Sequence, residues 1–182
     1  MFKKLDILDE KDDRLRKVCK EVAFPLTKED KNLIQKCIDE LTYSQIDEYA
    51  EKYNLRPGMG LAFPQLGLLK RIVVIVHEVE DSVFDNYVVI NPKIISTSEE
   101  LIAAEVGEGC LSVNREVEGH VKRHARITVE GFDEKGNQIR IRAREDLSIC
   151  FQHEMDHLDG ILFMDRINKK KPFYNENEMR LI

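Results

Sequence analysis

The sequence predicts an α+β fold in which mostly antiparallel β-sheets pack around one central helix. Three observations carry that expectation: a helical apolar stripe from about residue 28, a β-rich middle from about 71 to 144, and a second helix directly after it. Helices segregated from antiparallel strands, rather than alternating with parallel ones, define this class. The 182 residues are expected to form a single domain spanning 1–182, long enough to bury a substantial core.

Thr27-Lys28-Glu29-Asp30 resembles a capping box with Asp in place of the usual Glu or Gln. Leu33, Ile34, Cys37, Ile38 and Leu41 follow at helical spacing, so a helix is expected over about 28 to 43. Cys37 falls on that stripe and reads as a small core hydrophobe, as does Cys19 between Val18 and Val22. Strands are expected over 71–79, around Ile72-Val73-Val74-Ile75-Val76, and over 87–95, which includes Pro92. The alternating segments 121–132 and 137–144 are joined by Asp133-Glu134-Lys135-Gly136 and read as a hairpin. Arg140, Arg142 and Arg144 alternate with Ile139, Ile141 and Ala143 and read as a solvated strand face. The last helix is expected over about 147 to 158, with Asp146 as N-cap and Gly160 as stop.

Composition excludes several classes. Lys plus Arg number 28 against 34 Asp plus Glu, a formal net charge of -6, which argues against a general polyanion binder and against specific DNA binding. The four cysteines, at 19, 37, 110 and 150, never form a close pair, so a disulfide scaffold is not expected. The N-terminal stretch lacks the apolar core of a signal peptide, and its acids at 6, 9, 10, 12 and 13 do not suit a transit peptide. No apolar run is long enough to span a membrane. The expected compartment is the reducing cytoplasm, with free thiols.

The late helix carries His153-Glu154-Met155-Asp156-His157. Histidines at i and i+4 share one helical face and can hold one metal ion, and the Glu beside the first can act as general base toward water. Such a site needs a third ligand. The metzincin spacing would put a histidine where Phe163 stands, so that class is excluded. Thermolysin-like use of Glu176 or Glu178 would draw on a polar tail with no apolar period. Cys150 is disfavoured, because it lies about 10.5 Å of helical rise from position 157. Cys110 remains, in Gly107-Glu108-Gly109-Cys110-Leu111-Ser112, although that stretch alone also reads as a buried strand. A third segment, Gly58-Met59-Gly60-Leu61-Ala62-Phe63-Pro64-Gln65, fits neither a Rossmann nor a P-loop pattern. It reads either as a surface loop or as backbone lying against an extended ligand, with Gln65 as a hydrogen-bond donor.

In this order, the segments Gly58 to Gln65, Glu108 to Ser112 and Gln152 to His157 resemble the peptide deformylases, a family carrying G-x-G-L-A-A-P-Q, E-G-C-L-S and Q-H-E-x-D-H. The likeness covers nearly the whole chain, and Arg56-Pro57-Gly58 with Ser112 to Val117 is similar to the bacterial branch with insertions, called type 2. It implies removal of the N-formyl group from the N-terminal formyl-methionine of newly synthesised proteins, with release of formate. It implies Cys110, His153 and His157 as metal ligands and Glu154 as the proton carrier. Gln65 and the Leu111 backbone N–H would be donors to the developing oxyanion. The peptide would lie against backbone near Gly58, Gly60 and Gly109, with Ile149 and Cys150 bordering the methionine pocket. Glu108 would pair with Arg123. Fe(II) is the implied native ion, with Zn(II), Ni(II) or Co(II) as substitutes. The implied partners are N-formylmethionyl nascent peptides and, transiently, the ribosome; Lys169-Lys170-Lys171 could touch its RNA, although a solvated tail is the plainer reading. One residue departs from the pattern: Phe63 replaces the family's second Ala. Two rivals share the motif, a zinc endopeptidase and a non-enzymatic, metal-stabilised module at the ribosome.

Overall fold

A computed structural model of the chain describes residues 2–175 and 177–182. Helix α1 (Lys28–Ser44) starts where Thr27 Oγ1 accepts the Asp30 N–H at 3.1 Å. Only this half of the capping box forms, because the Asp30 carboxylate receives Lys70 Nζ at 2.6 Å instead. A short helix that the pattern did not suggest, α2 (Asp47–Tyr53), follows, and its Tyr49 and Tyr53 cluster with Phe2 and Tyr43.

Strands β1 (Gly60–Ala62), β2 (Ile72–Glu80) and β3 (Val83–Thr97) come next, then β4 (Leu101–Ala103), β5 (Arg123–His124), β6 (Arg126–Phe132) and β7 (Gln138–Arg144). Helix α3 (Glu145–Leu158) and strand β8 (Arg180–Leu181) complete the order. A five-stranded antiparallel sheet runs β1-β2-β3-β6-β7, and a small sheet runs β5-β4-β8, with β4 and β8 parallel.

The unbroken apolar run of β2 follows from coverage of both sheet faces. Ile72, Val74 and Val76 pack with Ile34, Cys37 and Leu41 of α1, while Val73 and Ile75 pack with Leu147, Phe151 and Leu158 of α3. Both sets are buried. Pro92 is tolerated inside β3 because the register shifts between Ile90 and Lys93, a bulge at which Asn91 takes a φ of 52°. The Asn91 side chain then bonds both backbone groups of Val22, at 2.8 and 3.0 Å.

Two sequence expectations need correction. The strand expected over 121–132 is two strands in different sheets, because the chain bends at Ala125, whose carbonyl accepts the Glu145 N–H at 2.9 Å. Asp146 is not the N-cap of α3. The helix begins earlier, after Arg144, and Asp146 lies inside its first turn, where Oδ1 accepts its neighbour Leu147 N–H at 2.8 Å. The other end is as expected. Gly160, with a φ of 74°, donates to the His157 carbonyl, and Ile161 donates to that of Asp156, a Schellman ending. A side chain at 160 would also strike the Arg16 carbonyl, 2.7 Å from a built Cβ.

Candidate metal centre and substrate pocket

α3 is enclosed, and from Leu147 to Leu158 every residue is buried. Its polar side chains therefore need partners within the protein. Ser148 Oγ donates to the His124 carbonyl at 2.7 Å, and Gln152 bridges the His124 N–H and carbonyl, both at 3.0 Å. Asp156 receives Arg123 at 2.6 Å and Arg166 at 2.5 Å. Arg123 also holds Glu108 in a fork, at 2.7 and 2.9 Å, so the pairing that the resemblance implied is present. Glu108 in turn lies 2.8 Å from His153 Nδ1. Burial alone would raise the Glu108 carboxyl, but the bonds and charges of Arg123 and His153 overcome it and hold it down at about 2.

Cys110 enters from the long connection between β4 and β5, in a turn closed by the Val113 N–H on the Cys110 carbonyl at 3.0 Å. Its Sγ lies 3.3 Å from His157 Nε2. One donor atom each from Cys110, His153 and His157 lie within 4.8 Å of one another. The set of one thiol and two imidazoles suits zinc or iron and lacks the all-oxygen character that calcium or magnesium prefers. A carboxylate behind a ligating imidazole, as Glu108 stands behind His153, fixes which nitrogen faces an ion. Two buried atoms on this helix have no partner among the described residues, Glu154 Oε2 and His157 Nδ1. Burial pushes the Glu154 carboxyl up to about 7, against the pull of His153.

Gln65 sits in a turn of 3-10 helix immediately after β1. Its Oε1 accepts the Ala62 N–H at 2.8 Å, and its Nε2 donates to Ser112 Oγ at 3.2 Å and lies 3.6 Å from Cys110 Sγ. The Leu111 carbonyl accepts from Arg56, and among the described residues nothing accepts its backbone N–H. β1 is an edge strand, so one row of its backbone groups is free of sheet partners. The glycine-rich segment is thus both strand and rim, not a surface loop. Gly60 is required for closeness, since a Cβ there would come within 2.6 Å of Glu154 Oε1 and 2.8 Å of Cys150 Sγ. A cavity of about 1120 Å³ is lined by Gly58, Gly60, Gly109, Cys110, Leu111, Ile149, Cys150, His153 and Glu154. His157 and Gln65 lie behind that wall. Gly109 has open space where a side chain would go.

The remaining candidates fall elsewhere. Glu178 is bonded to Lys171 and to the Asn175 N–H, and it is not part of the ligand cluster. Glu176 lies outside the described residues. Phe163, which occupies the metzincin histidine position, stacks on the His153 ring at 5.8 Å. Phe63 is fully buried in the core on the α1 side and does not line the cavity, so it is a packing change. Sequence reasoning missed Ser112, Asp156 and Arg166. Asp156 carried a signal, a second carboxylate within the helix expected to be central.

The family model for polypeptide deformylases matches residues 4–173. The chain belongs to the polypeptide deformylase family. It is 45% identical over 168 residues to peptide deformylase 2 of Bacillus anthracis, covering 92% of this chain and 91% of that one. It is 48% identical over 170 residues to a peptide deformylase of Listeria welshimeri, covering 93% and 92%. Among solved structures, that of the Thermotoga maritima peptide deformylase superposes with a TM-score of 0.71 at 32% identity, covering 90% of this chain and 97% of that one. Membership makes this chain a metal-dependent hydrolase that removes the N-formyl group from nascent proteins. The endopeptidase and the non-enzymatic module are thereby set aside.

Proposed function

We propose that Cys110, His153 and His157 hold the metal ion and that Glu154 carries the proton in deformylation. The observation that carries this assignment is a buried, unpartnered Glu154 carboxylate, raised to about 7, next to the three-donor cluster. When bound, the ion supplies a Lewis acid that polarises the formyl carbonyl and makes water acidic near neutral pH. Glu154 takes a proton from water, and the resulting hydroxide adds to the formyl carbon. The Gln65 amide and the Leu111 N–H donate to the oxygen on which negative charge develops. As the carbon–nitrogen bond breaks, Glu154 returns the proton to the leaving amine, giving formate and a free methionyl amine. Burial that raises the Glu154 carboxyl, with no bond to any other side chain among the described residues, suits a group that takes up and then returns one proton.

The free edge of β1 supports an extended peptide pairing near Gly58 and Gly60, with Gly109 on the opposite rim and Ile149 and Cys150 bordering the methionine side chain. Gln65 is poised rather than free, since its donors rest on Ser112 and the Cys110 sulfur. The chain works as one domain across 1–182 in the cytoplasm, where formylated nascent chains emerge. A transient ribosome contact fits that substrate. Lys169 and Lys170 are exposed, whereas Lys171 is engaged by Glu178.

Fe(II) is the proposed native ion. Protein prepared without oxygen should contain iron and release formate from a formyl-Met peptide, and it should lose that activity in air. Equal, air-stable activity with zinc alone would refute the iron assignment. Formate release that survives both Glu154→Ala and Cys110→Ala would refute the residue roles.

A further inference from the structure

The cavity is larger than a formylated methionine needs. Its volume, about 1120 Å³, exceeds the roughly 300–1,000 Å³ usual for pockets that take a small ligand. It runs continuously from Cys110 and Glu154 to Phe173, whose side chain is 50% exposed on the C-terminal tail. None of the residues assigned to the chemistry explains why the tail forms this wall.

His120 explains it. The residue is buried, and its ring bridges two separate walls of the cavity. Nδ1 accepts the Tyr174 N–H at 3.0 Å, and Nε2 lies 3.1 Å from the Glu105 carbonyl. A backbone N–H can only donate and a carbonyl can only accept, which fixes the tautomer with its proton on Nε2. The His120 backbone N–H also donates to the Pro172 carbonyl at 2.7 Å. Phe173 meets the imidazole edge-on at 5.4 Å, and Tyr174 stacks on it at 6.5 Å. One imidazole thus ties tail residues 172–174 to the segment that leads into Cys110. A half-exposed aromatic ring on a cavity rim leaves apolar surface for a ligand to cover.

We propose that Phe173 contacts the nascent peptide beyond its formylated methionine, and that His120 is the positioning residue that holds the tail there. The proposal rests on the deformylase reading and deepens it: substrate length is sensed by the tail wall, with a preference for apolar residues.

The test compares kcat/KM for formate release from formyl-Met-Ala and from a formyl-Met tetrapeptide with apolar third and fourth residues. Formate release from the dipeptide by the wild type tests the underlying reaction by itself. Phe173→Ser should lower the tetrapeptide-to-dipeptide ratio about fivefold, the loss carried by KM, and Phe173→Leu should restore most of it. Gln at 120 keeps a donor for Glu105 and lacks the acceptor for Tyr174, whereas Asn keeps the acceptor and lacks the donor. His120→Gln should therefore lower the ratio as Phe173→Ser does, and His120→Asn should preserve more of it. A ratio within about twofold of wild type in Phe173→Ser would overturn the peptide contact. A ratio lower in His120→Asn than in His120→Gln would overturn the positioning role. Phe173 is half-exposed, so its variants test the contact even if those at 120 fold poorly.

Discussion

The two helices that pack on opposite faces of the large sheet solve opposite problems. α1 buries six of its seventeen residues, half-buries others such as Leu33 and Ile38, and turns an exposed face to water, so its amphipathic period largely holds it. α3 buries twelve of fourteen, five of them His, Glu, Asp or Gln, and so it depends on a shell of polar partners. Arg123 and Arg166 supply that shell for Asp156, Glu108 for His153, and His124 for Ser148 and Gln152. Within that shell, Glu154 Oε2 and His157 Nδ1 are the buried atoms without a partner among the described residues, and the first of them lies beside the three-donor cluster. The α1 face shows where stability comes from, and the α3 face shows where some of it is given up for chemistry.

The sharpest way to break this contrast is at Glu154. Glu154→Ala should lower kcat for formate release about 1000-fold, roughly 4 kcal/mol of barrier. It should keep its metal, measured by elemental analysis, whereas Cys110→Ala should lose it. Loss of metal from Glu154→Ala would merge the two roles assigned on this helix. Arg123→Met comes next. It would leave two buried carboxylates without their shared cation and should cost about 3 kcal/mol of stability, read as a shift in the urea midpoint. A neutral result would mean that the polar shell is dispensable. On the other face, Leu41→Ala removes a fully buried side chain and should cost about 2–3 kcal/mol. Its kcat should match the wild type wherever the variant is folded, since α1 touches no reacting group.

The contrast also accounts for what could be read from the sequence. α1 and the hairpin of β6 and β7 announce themselves by period, because each has one face governed by a single environment, and β2 announces itself by an unbroken apolar run, because both of its faces are covered. The candidate donors His153 and His157 are legible because they share a helix, while Cys110 becomes legible only through the family resemblance of its flanking residues. β4, β5 and β8 span two or three residues each and are set by pairing between distant segments, such as Ile102 with Arg180. No local period records such a pairing. The start of α3 at Glu145 lacks a local signal for a related reason. The bend at Ala125, 20 residues earlier in the chain, fixes where Glu145 begins the helix. His120 gave no signal at all, because its partners, Glu105 and Tyr174, meet only in three dimensions.

The smallest expected effect separates the two faces by pH. Glu40, on α1, is buried and accepts the Leu5 N–H at 2.5 Å, yet burial pushes its carboxyl up despite that bond and nearby Lys4. Its folded form therefore holds a proton more tightly than the unfolded chain, whose carboxyl titrates near 4.5. Below that pH both forms are protonated and nothing is lost. As pH rises, the unfolded chain ionises first and stability declines, until the raised folded value is passed and the loss is complete. Glu108 has the opposite sign: held at about 2, it contributes stability at neutral pH that fades as acid protonates it. Glu40→Gln keeps an acceptor for Leu5 and removes the titration. Urea midpoints from pH 4.5 to 7 should then lose the part of their decline that Glu40 causes, a gain smaller than the Leu41→Ala loss. A variant whose pH profile runs parallel to the wild type would show that water reaches Glu40 freely, and the α1 face would no longer hold a carboxylate without a charged partner of its own.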